Sequence, residues 1–431
     1  MKKCKIVLFI IFLNNYLFSV DFIHIKSYML KNSKELKVKE FDSHIAKSEL
    51  SIVNSQYYPE ISIGFNLESS NSLDNSSSST SVGGNTLSND SLQKSYSYVN
   101  LNYNLYDFGK LKYQSKSQEY IVESEKYNYC SEKKNIINSL LESYYQARIY
   151  QIKEEYLNKI IDIKNEIYNY NKKLFNSGNI SKIDFMKSSL DVAQTFSGMS
   201  ENQKLLYEML EKISNISTYK FKNQEKLEPL LPVLISNKKS FENTVNAQVL
   251  KKQIKSKKAE ISYIKKDYLP SINLYSKYDV YGSDESSFSD SIKDLKENSY
   301  KAGLNISWNL FNGFKTSSQK QKAILQLKQL KEKYLLEESN FESQFNILNK
   351  NHELEQLTLK HKKQSLELSL LNSEYSHRLN KVGEINKIDE LSFFVDKYYK
   401  ELEYKNSEEK IAYEYIKKSI LLEDEIECIV D

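Results

Sequence analysis

The chain has 431 residues, of which only 10 are Gly and 4 are Pro, with 33 Tyr, 27% charged residues and a formal net charge of +4. So few chain breakers exclude a loop-rich multidomain enzyme, the mean hydropathy of -0.60 excludes a polytopic helical membrane protein, and the near balance of charges excludes an electrostatic nucleic-acid binder. Three cysteines, at positions 4, 130 and 428, form neither a zinc cluster nor a disulfide framework.

Residues 1–20 read as a secretory signal peptide. Lys2, Lys3 and Lys5 precede an apolar run from Ile6 to Phe18 that is too short to span a bilayer, and Ser19 and Val20 follow it. Cleavage is expected near residue 19 or 20. Cys4 stands before the apolar run, whereas a lipid-bearing cysteine would follow it. The two cysteines left in the exported chain, Cys130 and Cys428, are expected to be unpaired.

The remainder is written twice. Tyr57-Tyr58-Pro59-Glu60-Ile61 is echoed by Tyr268-Leu269-Pro270-Ser271-Ile272 at an offset of 211. Leu105-Tyr106-Asp107-Phe108-Gly109-Lys110 is echoed by Leu310-Phe311-Asn312-Gly313-Phe314-Lys315, and Gly178 to Asp184 by Gly383 to Asp389, both at an offset of 205. The expected organisation is therefore a first structural repeat over 21–217, an irregular linker over 218–240 containing Pro229 and Pro232, and a second repeat over 241–431. Each repeat runs helix, two strands, long helix, returning helix.

In the first repeat, Ile61, Ile63, Phe65 and Leu67 alternate with polar residues after Pro59, and Val99, Leu101, Tyr103 and Leu105 do so after the Ser/Asn-rich stretch from Ser69 to Lys94. Runs of about ten residues with one apolar and one polar face suit transmembrane β-strands. Asp107 and Gly109 mark the strand-to-helix corner. No Gly or Pro follows until Gly178, which allows a helix of about 100 Å. Ile160, Ile163, Ile167, Tyr170 and Leu174 give it a coiled-coil seam. Gly178 supplies the left-handed residue that ends this helix, and Ser181 with Asp184 has the spacing of an N-cap whose carboxylate favours the positive end of the next helix. The returning helix is expected from about Lys182 to Tyr219.

The second repeat follows the same plan. Ile272 and Leu274 open one strand, and Ala302, Leu304, Ile306, Trp308 and Leu310 mark the other across the polar stretch from Tyr281 to Ser299. Asn312 and Gly313 form the corner. The seam residues of the long helix include Leu327, Leu330, Tyr334 and Phe341. Gly383 makes the tip, and Asn386 with Asp389 starts a helix to about Glu423. Four strands cannot close a barrel, and an open edge in hydrocarbon would leave amide groups unpaired, so several chains must share one barrel. The five His show no metal-ligand spacing, and no catalytic constellation, cofactor loop or metal site is expected.

The duplicated layout, the two corners and the Gly-x-x-Ser/Asn-x-x-Asp tips together resemble the TolC-like outer-membrane efflux proteins over essentially the whole mature chain. The resemblance implies a mainly α fold with a β-barrel part. The assembly would be a trimeric 12-stranded outer-membrane β-barrel, four strands per chain, continuous with a periplasmic α-helical coiled-coil barrel. It further implies a homotrimer set in outer-membrane lipid and extending into the periplasm. That duct would work with a periplasmic adaptor and an inner-membrane pump, without catalysis and without nucleic acid.

The family pattern places an acidic ring at Asp389 and at Ser392, where the carboxylate is missing. Asp389 is equally well explained as part of the helix cap, since Asp184 stands at the matching place. A charged clasp to Asp184 would need partners where this chain has Asn380 and Ile385, and Arg378, Lys381 or Lys387 are the candidates to replace them. The adaptor-docking tips correspond to Ser177, Gly178 and Asn179, and to Val382, Gly383 and Glu384. Two rivals remain: an exported coiled-coil fibre or adhesin, which leaves the strand pairs unexplained, and an adaptor, which has one hairpin where this chain has two.

Overall fold

The computed structural model describes residues 19–70, 92–222, 225–232, 240–285 and 287–422. The expected signal peptide up to Phe18, the middle of the Ser/Asn-rich stretch, Cys4 and Cys428 lie outside the described residues.

In chain order the elements are β1 (Ser19–Val20), α1 (Phe22–Asn32), α2 (Lys34–Ser55), β2 (Glu60–Ser70), β3 (Leu92–Tyr106), α3 (Lys110–Asn176), α4 (Lys182–Ser217) and β4 (Lys226–Leu227). After a 3-10 turn at Phe241–Asn243 come α5 (Val245–Lys266), β5 (Ser271–Asp284), α6 (Phe288–Lys293), β6 (Glu297–Ser307), α7 (Lys315–Lys381) and α8 (Lys387–Leu422). The fold is mostly helical. Helix lengths agree between the halves: 22 residues in α2 and α5, 67 in α3 and α7, 36 in α4 and α8. With no Gly or Pro inside them, α3 and α7 run unbroken from corner to tip.

The chain divides into two compact units. The first comprises Met1–Phe41, Tyr127–Gln248 and Leu336–Asp431. Its core gathers Ile25 and Met29 of α1, Ile137, Leu140 and Tyr144 of α3, Ile213 of α4, and Ile416 and Ile420 of α8. β1 and β4 pair in parallel, Val20 opposite Leu227. Arg148 of α3 donates to the carbonyl of Leu227 (2.8 Å), and Glu409 of α8 accepts from the amide of Leu230 (2.8 Å) while lying 3.4 Å from the Arg148 guanidinium. A buried ion pair thus satisfies the polar backbone of the segment between the repeats.

The expectation of unpaired cysteines is corrected here. Cys130, 1% exposed on α3, is disulfide-bonded. Cys4 and Cys428 stand far from it in the sequence and carry no spacing signal.

The second unit comprises Asp42–Lys126 and Val249–Leu335. Its four strands form an antiparallel sheet in the order β2-β3-β5-β6. The central β3–β5 pair joins the two halves of the sequence. Directly opposed residues share a face, so Ile61 and Ile63 align with Leu101 and Val99, and Leu274 and Ile272 with Leu304 and Ile306. The other face is polar, with Asn100, Lys277 and Lys301 at one level. On that face the Tyr98 ring lies over Gly64 and the Tyr275 ring over Gly303, so close that a Cβ at either glycine would collide with the ring.

Two details differ from the sequence reading. β6 ends at Ser307, and the Trp308 indole donates to the carbonyl of Tyr268 (3.0 Å), so the alternation through Trp308 and Leu310 continues past the paired backbone. The stretch from Tyr281 to Ser299 is not simply a loop: β5 extends to Asp284 and β6 starts at Glu297. Between them α6 packs on Gly282, with Ser291 Oγ 2.7 Å from Ser95 Oγ. No described helix is long and apolar enough to cross a membrane.

Candidate functional site

Both hairpin tips belong to the first unit and share one backbone solution. At the α3–α4 tip Gly178 has φ +78, the amide of Asn179 donates to Leu174 O (2.8 Å), and that of Gly178 to Phe175 O (3.0 Å). At the α7–α8 tip Gly383 has φ +81, Glu384 N donates to Leu379 O (3.0 Å) and Gly383 N to Asn380 O (3.1 Å). These are paired Schellman closures, which consume the carbonyls the helix end would otherwise leave free. The helices restart alike. Ser181 Oγ accepts from the amide of Asp184 (3.1 Å) and donates to its carboxylate (2.7 Å). Asn386 Oδ1 accepts from the amide of Asp389 (2.8 Å), and its Nδ2 donates to the Asp389 carboxylate (2.8 Å).

Each tip residue named from sequence has a definite place. Asp184 and Asp389 are exposed caps, and Lys187 lies 3.8 Å from Asp184. Ser392 is exposed, its hydroxyl turned to Ile388 O of its own helix (2.9 Å). Asn380 and Ile385 are brought together: Asn380 Nδ2 donates to Ile385 O (3.1 Å), closing the second tip on itself. Ser177 donates to Leu174 O and accepts from Asn179, both at 2.9 Å, while Val382 and Glu384 are exposed.

Of the three basic candidates, Arg378 is taken by Glu374 of its own helix. Lys387 instead reaches Glu166 of α3 (3.5 Å) and Glu390 (3.1 Å). It ties the second tip to the first hairpin, and its partner there is Glu166, not Asp184.

Sequence reading missed Glu390 and His377. Glu390 is 1% exposed, and His377 Nδ1 of α7 donates to its Oε1 at 2.5 Å. Burial pushes the Glu390 carboxyl up, but the bonds from His377 and Lys387 outweigh that and hold it below its ordinary value of 4.5. A signal did exist. At the offset of 205 Glu390 matches Phe185, whose ring stacks on Phe175 (centroids 5.1 Å) and Tyr168 (5.6 Å), so a charge stands where its duplicate packs a ring.

The corners belong to the second unit. Asp107 accepts from the amides of Gly109 (3.0 Å) and Leu111 (2.6 Å), capping α3. Asn312 accepts from Thr316 N (3.5 Å) and donates to Thr316 Oγ1 (2.7 Å), capping α7. Two consecutive residues are left-handed in each corner, Phe108 then Gly109 in the first and Gly313 then Phe314 in the second. Among the described residues no group of His, Cys, Asp and Glu is arranged to hold a metal ion.

Residues 27–212 match the sequence model of a family described as outer membrane efflux protein. No curated protein sequence matches the chain. Among solved structures, the CmeC outer membrane channel of Campylobacter jejuni superposes with a TM-score of 0.78 at 14% identity, covering 95% of this chain and 87% of that one. CusC, whose crystal structures concern folding and transmembrane channel formation, gives 0.77 at 14% identity over 94% and 93%. The outer membrane protein VceC of Vibrio cholerae gives 0.74 at 11% over 93% and 94%. Identities this low show a common fold. The chain has the fold of these outer membrane channels, and its residues 27–212 match the outer membrane efflux protein family.

Proposed function

We propose that the protein is the exit duct of a tripartite efflux or type I secretion assembly, a homotrimer in the outer membrane that passes small molecules or polypeptides from an inner-membrane pump to the outside. The observation that carries this reading is the sheet: among the described residues β2 and β6 each pair on one side only, and one face is apolar. Such a sheet enters a bilayer only if further copies take up both edges. Three copies give twelve strands.

A second feature supports association. Ile347, Leu354, Leu368 and Tyr375 recur at multiples of seven along α7, with Leu357 and Leu371 between them, and all are exposed. Among the described residues this stripe stays exposed, as a coiled-coil seam covered by another copy would be. A fibre or adhesin would use the seam but not the sheet. In the assembly the tips at Ser177–Asn179 and Val382–Glu384 face the adaptor, and the cap carboxylate of Asp389, repeated three times, favours cations at the periplasmic entrance. No catalytic step is assigned.

Outer-membrane fractionation tests the reading. A heat-modifiable trimer band is expected, and a soluble periplasmic monomer overturns it. Asp389→Asn should lower cation preference in planar bilayers, whereas Asp184→Asn should not. Unchanged selectivity and pH dependence in Asp389→Asn would leave that carboxylate a helix cap only.

A further inference from the structure

Gly282 of β5 and Ser95 of β3 pair with each other and lie on the apolar face of the sheet, an even number of residues from Leu274 and from Val99. Below them that face carries Val280 and Tyr278 on β5 and Val99 and Leu101 on β3. On β2 the same row holds Leu67, which is exposed, but β3 and β5 present only two small residues there. α6 occupies the space they leave. Ser291 and Ser95 are both fully buried with their hydroxyls 2.7 Å apart, and the backbone at Ser291 and Asp294 stands where a Cβ at Gly282 would be. The glycine and the serine are thus the seat of a helix laid on the apolar side of the sheet.

The helix is itself two-sided. Ile292 is 41% exposed among the described residues, and Phe288 stands one turn before it on the same side. Asp290 with Lys293 (2.9 Å) and Asp294 with Lys296 (3.1 Å) form exposed ion pairs, which belong in water. The height of α6 also fits a boundary. Ten residues of β5 separate Gly282 from Ile272, which lies opposite Ile306 near the other end of the face. At about 3.4 Å per residue and a tilt of about 40°, the rise is roughly 26 Å, against about 25 Å for the apolar band of an outer-membrane barrel.

We propose that α6 is an interfacial helix on the outside of the barrel, with Phe288 and Ile292 against acyl chains just below the lipid headgroups and the Asp–Lys pairs among the headgroups. It completes the apolar rim beside Leu67 where β3 and β5 have no apolar side chain, and its ion pairs keep the barrel from sinking further into the bilayer. The inference rests on the outer-membrane reading and adds to it the place where the bilayer ends.

Tryptophan quenching by brominated lipid tests it in the full-length protein reconstituted in vesicles. Trp308, the single tryptophan, is replaced by Trp308→Phe, and one tryptophan is then introduced at a time. The lipids carry bromine either just below the headgroup or near the end of the acyl chain. Ile292→Trp should lose emission chiefly with the shallow bromines, Ile63→Trp near mid-height chiefly with the deep ones, and Asn100→Trp on the polar face with neither. Phe288→Trp repeats the measurement where Ile292→Trp does not assemble. If Ile63→Trp is quenched while the α6 tryptophan keeps its emission in both lipids, the helix faces water or protein and the inference is overturned, with the channel reading intact. Quenching of Ile292→Trp chiefly by the deep bromines overturns the boundary position. An unquenched Ile63→Trp overturns the outer-membrane reading itself, and this inference with it.

Discussion

The two hairpin tips have the same backbone and opposite chemistry. Each ends on a left-handed glycine with the same pair of hydrogen bonds and restarts on a capping side chain with a carboxylate three residues on. At the next position they part. Phe185 closes the first hairpin by stacking on Phe175 and Tyr168, and Glu390 closes the second through His377 and Lys387. The backbone of a duplicated hairpin is thus set by a few short-range rules, while the contact that locks the helices together was free to diverge. One lock is apolar and indifferent to protons, and the other is ionic and reaches across to Glu166.

Hydrogen exchange at the tips, which reads local opening, can break or sharpen this contrast. Phe185→Ala should have the largest effect, lowering protection at the first tip by about 2 kcal/mol for loss of a half-buried stacked ring, and leaving the second tip unchanged. Glu390→Gln should cost the second tip roughly 1–2 kcal/mol, since a buried acceptor of charged donors becomes a poor one.

The pH response carries a sign. The carboxyl of Glu390 lies below its ordinary 4.5 in the folded protein, so its contribution is present above that value and is lost as pH falls through the lower folded value. Acid should therefore loosen the second tip more than the first, and Glu390→Gln should abolish the difference. Gly178→Ala and Gly383→Ala should be smallest and nearly equal, about 1 kcal/mol each, because both impose the same left-handed penalty. Clearly unequal values would mean the backbones are not equivalent.

The parts legible in the sequence were those fixed over a few residues. Gly178 with Ser181 and Asp184, and Gly383 with Asn386 and Asp389, announce their turn because stop and restart signals act within one helical turn. The strands were legible from alternation, except where Trp308 continues the pattern after pairing has stopped. What was hidden depends on which turn of α7 meets which turn of α8. His377 and Glu390 are 13 residues apart across a turn, and neither looks unusual where it stands. Lys387 was visible as a basic candidate, but its choice of Glu166 over Asp184 is decided by packing between hairpins. The same holds for Cys130, whose bond no spacing foretold.

The two corners, Phe108-Gly109 and Gly313-Phe314, bear on how the duplicates drifted apart. In each the backbone keeps two successive left-handed residues, with glycine at the second place in one copy and at the first in the other. A phenylalanine held left-handed costs about 1–2 kcal/mol, and glycine costs almost nothing there. Two single changes separate the arrangements, and an intermediate with two phenylalanines would carry that penalty twice. Of these two intermediates, a Gly-Gly pair therefore costs the backbone least.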